Sequence, residues 1–510
     1  MTLPHLLSVL IFLPLVSGAL LMLFGDEENA GFARGAALAV AVVNFLLSLL
    51  LLGGGAFQER FAWLESLGIS YFLRVDGLSL WLILLATLAT PIAILASWKL
   101  IGERAKVYYG CLLLLSGGMV GVLCAMDLFL FYVFWEIMLI PAFFLVGVFG
   151  ADRRAEATTK FVIYTMVGSL LMLVGLVYTG FRYFQTTGAW SFALPDLYAM
   201  SYPAMGIEGA FMSSAGHWAF FAFALAFAIK AALWPLHTWL PDTYGEAPAP
   251  VTFLLSAVMA KLGIYGLLRV ALPLFPDAAR DFAPLLIVLS VIGVIFGALV
   301  ALIQTDMKRM IAYASVSHLG IILMGVFTLS PQALSGAVLH MVAHALTTGA
   351  LFLLIGFLAE RTGSTLIADY SGTTKAIPVF ATVFMLVTLA SVGLPGLTGF
   401  VGEFLIFIGA FAQWPVAASI AAVSIILGAA YMLWMFQRVM FGPPLVTGKR
   451  LPDMGGREGL LFVPIVALII AIGVYPQFML DRINPAVSDY LRVAGVSVTS
   501  LETAQPVPAA

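Results

Sequence analysis

The chain has 510 residues, 62% of them hydrophobic and only 10% charged, with a mean hydropathy of +1.07 and a formal net charge of −2. Soluble domains carry roughly 25% charged residues, so a soluble enzyme is excluded, and the missing basic excess argues against a nucleic-acid binder. Its two cysteines, Cys111 and Cys124, fall in one apolar segment and read as small filler, short of any four-cysteine metal or iron–sulfur set.

A membrane-crossing helix needs about 20 apolar residues. Such segments fall near 4–24, 31–53, 78–98, 108–126, 128–149, 161–184, 217–240, 250–272, 283–303, 309–328, 332–358, 377–411, 414–441 and 459–478. The expected fold class is therefore an all-α polytopic membrane protein of about 14 transmembrane helices. The first segment lacks a basic n-region and a small-residue cleavage site, so it reads as a retained span rather than a signal peptide. The seventh is interrupted by WPLHTWLP; the twelfth, too long for one straight helix, is interrupted by GLPGLTGF at 393–400. Non-helical backbone at membrane depth is tolerated only where protein or a water-filled cavity surrounds it.

The two breaks lie five segments apart, which suggests a duplicated five-helix unit. The expected division is N-terminal helices over 1–107, a first repeat over 108–270, a second over 283–441, and a last helix with its tail over 442–510. An odd number of helices per unit makes the two copies inverted, the plan of many transporters. The residues after about 480 are expected to form a loose tail. Of the 24 Lys and Arg, 15 sit in loops after odd-numbered segments, among them Arg34, Arg153, Arg154, Lys308, Arg309, Lys449 and Arg450. Seven sit after even-numbered ones and two inside spans. The bias places the odd loops in the cytoplasm and both termini on the other side.

Seven ionisable residues remain at membrane depth: Glu136, Lys230, Lys261, His318, His340, His344 and Glu403. A charge at the centre of a span costs about 2.5–3.5 kcal/mol, and such residues usually mark ion or proton pathways. Pro141 follows Glu136 by five residues just as Pro235 follows Lys230. Each proline removes one helical hydrogen bond, freeing the carbonyl of Ile137 or Ala231 beside the charge. Glu136 and Lys230 stay ionised when close and lose that support when apart, so a pair that opens and closes is a proton switch. A structural salt bridge is the bland alternative for these two, though it leaves the rest of the row unexplained. Lys261 has no acid near it in sequence and suits a carrier that is neutral for part of its cycle. His340 and His344 share a helix face; an HxxxH pair can hold a metal, but no third ligand is adjacent in sequence, and no metal is expected. Histidine near neutrality suits a proton relay. Glu403 ends the series after the glycines and Pro395 of the second break, where the absence of GK[ST] rules out a phosphate loop.

The blocks FWEIMLIPAFFLVG, KAALWPLHTWLPDTYGEAPAPVTFLLSAVMAKLGIYGLLR, DMKRMIAYASVSHLG, HMVAHALTTGALF and GLPGLTGFVGEF together resemble the antiporter-like membrane subunits of respiratory complex I (NADH:quinone oxidoreductase). The resemblance runs from about 70 to 445, and within the family it points to the subunit-M (subunit 4) group. Its siblings L and N typically carry lysine where Glu403 stands. The resemblance implies 14 helices with discontinuous helices 7 and 12, and proton translocation driven by redox chemistry in partner subunits. It assigns Glu136 and Lys230 as the coupled pair, Lys261 as the central carrier, His318 and His344 as the axis, Glu403 as the terminal acid, and His237 as the histidine after the break. His340 matches no strong family position. No cofactor is expected in this chain, with FMN and iron–sulfur clusters in partner subunits. The implied partners are the other membrane subunits, above all the two sibling chains, together with protons and the lipid bilayer. A bacterial plasma membrane is expected from the alanine- and glycine-rich composition. The alternative functions are a subunit of a multi-chain cation/proton antiporter or of a membrane-bound hydrogenase, and a purely structural scaffold is the rival from a different class.

Overall fold

The computed structural model describes residues 5–27, 29–55, 57–200, 214–443 and 451–495. Lys449, Arg450 and the tail from 496 lie outside them. Among the described residues eleven helices are long and apolar enough to cross a membrane. The three remaining apolar segments are a 17-residue helix, Leu80–Ala96, and two interrupted ones: Ala215–Lys230 with Trp239–Glu246, and Pro378–Ser391 with Thr398–Gln413. The helices differ sharply in surroundings. Ala249–Leu274 is buried along its whole length and Pro331–Thr362 almost so, whereas Ala30–Gly53 and Gly456–Val474 present most of their surface outward. The buried helices form the core, and they carry Lys261, His340 and His344.

Side-chain caps fix several helix starts by satisfying backbone N–H groups that have no helical partner. Asp127 accepts from the N–H groups of Phe129 and Leu130 before Leu128–Ile137, and Asp306 accepts from Arg309 N–H before Met307–Phe327. The helix bearing Glu136 turns at Met138 and resumes as Leu139–Phe149. Its Pro141 has no N–H to bond the carbonyl of Ile137.

Three features depart from the sequence reading. A two-stranded antiparallel hairpin, Gln58–Leu64 with Ile69–Arg74, fills the connection between the second and third segments. Both strands are short, the first is mostly exposed and the burial of the second does not alternate, so neither shows the buried alternation that signals a strand in sequence. The residues after 480 are not a loose tail: Gln477–Val493 is a helix whose Met479, Ile483, Val487, Tyr490 and Leu491 are buried, packed against Pro331–Thr362. Arg269 is not a loop residue. It lies buried in a π-helical turn, Leu267–Ala271, and its Nη2 meets Asp76 Oδ1 at 2.7 Å.

Candidate proton-relay site

Lys230 is the last residue of its helix. The helical hydrogen bond that Pro235 cannot donate would go to the carbonyl of Ala231, so the break begins one residue after the lysine. The C-terminal end of a helix carries partial negative charge and favours a cation there. Trp239 Nε1 reaches back across the break and donates to the Ile229 carbonyl at 2.8 Å, satisfying one of the loosened acceptors. Lys230 is 1% exposed and its Nζ has no hydrogen-bond partner; instead it lies over the rings of Trp135, at 5.3 Å, and Phe161, at 5.8 Å. Such cation–π contacts contribute about 0.5–2 kcal/mol. Glu136 Oε1 is likewise buried and unpartnered. The expected pair is therefore present but open: no ion pair joins Glu136 to Lys230 among the described residues.

Lys261 is not partnerless, contrary to the sequence expectation. Its Nζ donates to the Ser256 carbonyl and lies 2.6 Å from His344 Nδ1. A π-helical turn over Leu255–Met259 sits just ahead of it. Turns of this kind disturb the regular i→i−4 ladder and are frequent at functional sites, and here the lysine side chain takes up a carbonyl of that turn. Gly263 sets the approach of this helix to Lys230. A Cβ there would sit 2.5 Å from Ala231 N and 2.9 Å from the Lys230 carbonyl carbon.

The three histidines converge although His318 lies on a different helix from His340 and His344. The ring of His318 lies 5.4 Å from that of His344 and 5.7 Å from that of His340, centroid to centroid, and His340 is 6.3 Å from His344. Glu403 closes the row. Its Oε1 lies 3.0 Å from His318 Nδ1 and 3.4 Å from His340 Nε2, although neither nitrogen is aligned to donate along an N–H bond. Gly402 makes this approach possible, because a Cβ there would meet the His340 backbone N at 2.9 Å. His340, set aside in the sequence reading, thus belongs to the cluster. The HxxxH spacing was the available signal; its acid comes from another helix and could not be paired with it by sequence distance. The expectation that HxxxH lacks a third ligand is corrected in kind: His318, His340 and Glu403 place ligand atoms within 4.8 Å of one another, and His344 is not in that set.

His237 stands apart. It lies in the break with its ring 5.1 Å from Phe296 and its Nδ1 buried without a partner. Beside the break, Asp242 accepts from Lys160 at 2.8 Å and from Arg309 at 3.3 Å, and Lys308 Nζ donates to the carbonyls of Gly245 and Ala247. Asp242 therefore ties Arg154–Thr187 to Met307–Phe327, that is, the first expected repeat to the second.

Chemically the arrangement is a buried row of groups that each gain and lose one proton, with Lys261 and His344 in direct contact and Glu403 at the far end. Residues 125–428 match the family described as NADH:quinone oxidoreductase/Mrp antiporter, TM. The chain is 38% identical over 543 aligned residues to NADH-quinone oxidoreductase subunit M of Mycobacterium tuberculosis, covering 99% of this chain and 97% of that protein. It is 39% identical over 502 residues to the Rhodobacter capsulatus subunit of the same name, covering 95% and 96% respectively. Among solved structures, a chain of respiratory complex I from Thermus thermophilus with bound NADH superposes with a TM-score of 0.86 at 34% identity, over 96% of this chain and all of that one.

Proposed function

Because this chain belongs to the NADH:quinone oxidoreductase/Mrp antiporter transmembrane family, we propose that it is the subunit-M (subunit 4) member of a NADH:quinone oxidoreductase. In that role it moves protons across a bacterial plasma membrane, with both termini on the outer side. The observation that carries the reading is the continuity of Lys261, His344, His318 and Glu403 through the buried core.

A proton taken up from the cytoplasmic side, near His237 and the Lys160–Asp242–Arg309 cluster, loads Lys261. Lys261 passes it to His344 Nδ1. An imidazole accepts on one nitrogen and releases from the other, so the proton leaves from Nε2 toward His318. No direct hydrogen bond spans the two rings among the described residues, so that step requires a bridging group such as water. Glu403 receives the proton and releases it outward.

Glu136 and Lys230 gate the loading. Opening the pair leaves the Lys230 charge uncompensated and closing it neutralises that charge, so the state of the pair sets the proton affinity of Lys261. Electron transfer belongs to partner subunits carrying FMN and iron–sulfur clusters, since Cys111 and Cys124 alone cannot build a cluster. The test is proton uptake per NADH oxidised in assembled complex carrying Lys230→Ala. A reduced ratio with assembly intact is expected, and an unchanged ratio sinks the coupling role. The family also spans cation/proton antiporters, so an assembly without NADH oxidation but with sodium-dependent proton flux would favour that second reading.

A further inference from the structure

We propose that His318, His340 and Glu403 form a binding site for a divalent cation of the zinc class, and that the bound ion blocks the outward end of the relay. The blocking half rests on the relay reading above; the site itself does not.

The argument is geometric. Zinc bound by imidazole nitrogen and carboxylate oxygen has bonds of about 2.0–2.2 Å, so two ligand atoms on neighbouring corners of its tetrahedron stand about 3.3–3.5 Å apart. Glu403 Oε1 is already 3.0 Å from His318 Nδ1 and 3.4 Å from His340 Nε2, and the set fits within 4.8 Å. The three ligands come from three helices, Met307–Phe327, Pro331–Thr362 and Thr398–Gln413, so the position is built by the fold and does not depend on one flexible loop. Both ring nitrogens of His340 and the Nδ1 of His318 are buried without a hydrogen-bond partner. A neutral imidazole has a free lone pair on one of its two nitrogens, so His318 and His340 can each offer one ligand atom. Two imidazoles and one carboxylate also form a familiar three-ligand zinc set with a fourth position left for water. Zinc lowers the pKa of such a water to near neutrality. Two neutral imidazoles, one carboxylate and one hydroxide on a divalent ion sum to zero charge, which a membrane interior tolerates. His318, whose side chain is 12% exposed, is the least buried of the three ligands.

Bound there, the ion occupies the lone pairs of His318 and Glu403, through which a proton would pass, and is held in addition by His340. The test uses the whole purified assembly, loaded with Zn2+ and washed, comparing the native chain with His340→Ala and with the size-conserving His340→Gln. One fewer zinc per complex is expected in both variants, together with loss of a two-nitrogen, oxygen-containing signature in zinc-edge X-ray absorption. Equal zinc content and unchanged spectra in the native and variant assemblies overturn the site. Proton pumping measured on the same native samples with and without zinc is expected to fall at least several-fold. Zinc retained by the native chain with pumping unaltered removes the blocking role and counts against the relay, while leaving the site standing.

Discussion

Lys261 and Arg269 stand on one buried helix and have opposite chemical capacities. Lysine can give up its proton when desolvated, whereas arginine holds its proton under all protein conditions. Lys261→Arg therefore keeps a cation beside Ser256 and His344 but cannot cycle. NADH-driven proton translocation through this chain is expected to be lost, tenfold or more, in an assembly of normal subunit content. Normal pumping in that variant would show that charge, not proton exchange, is what the position supplies. Arg269 makes the complementary case. Burial alone would raise the carboxyl of Asp76, but Arg269, then Arg74, and the N–H of Leu78 outweigh it and hold the acid below its usual range. A depressed carboxylate stabilises the fold above its unfolded value near 4, and that support is lost only as the pH falls through the lower folded value. Thermal stability due to this pair is thus expected to be flat from pH 5 to 8. Asp76→Asn should cost about 3–5 kcal/mol, because it leaves a buried guanidinium unpaired; a detergent-solubilised melting temperature that does not move argues against the pairing.

At the scale of helices, close approach is what makes the site. Gly402 lets the helix after the second break lie against the His340 backbone, and Gly263 does the same at the end of the Lys230 helix. Gly402→Val should cost about 1–3 kcal/mol by overpacking and move Glu403 off His318, so that pumping falls more than stability alone would require. A melting curve and a pumping ratio on the same preparation separate the two effects. This scale is also where the sequence was least informative. The individual charges were readable as anomalies in apolar segments, and the breaks were readable from Pro235, Pro395 and the glycines. That Lys261 meets His344, or that His340 meets Glu403, depends on which faces of distant helices touch, and apolar spans carry no periodic mark of it. The hairpin at 58–74 and the helix Gln477–Val493 escaped for related reasons. One has a first strand that exposes nearly all its side chains and a second only six residues long, and the other alternates apolar and polar residues in a way that a search for uniformly greasy spans passes over.

Across the whole molecule, Asp242 joins the two expected halves beside the first break, accepting from Lys160 and Arg309. Each contact alone is partly solvated and worth about 0.2–1 kcal/mol. Asp242→Asn is expected to lower stability by about 1 kcal/mol while slowing proton uptake more than it slows NADH oxidation. Equal slowing of both would mark the residue as structural. The family was legible from the motif blocks that resemble it, and the helical membrane fold from hydropathy and break positions. The inverted relation of the halves still rests on that pattern alone.

His344 holds one nitrogen against Lys261, and this imposes a condition on timing. A proton that enters at Nδ1 and departs from Nε2 leaves the ring as its other tautomer, with hydrogen now facing the lysine. A second proton finds no acceptor until the ring turns over or the hydrogen is moved back. In the proposed relay this makes His344 a latch that trips once and must be rewound. Turnover along that route cannot outpace the rewinding, and back-leak of protons through His344 meets the same requirement.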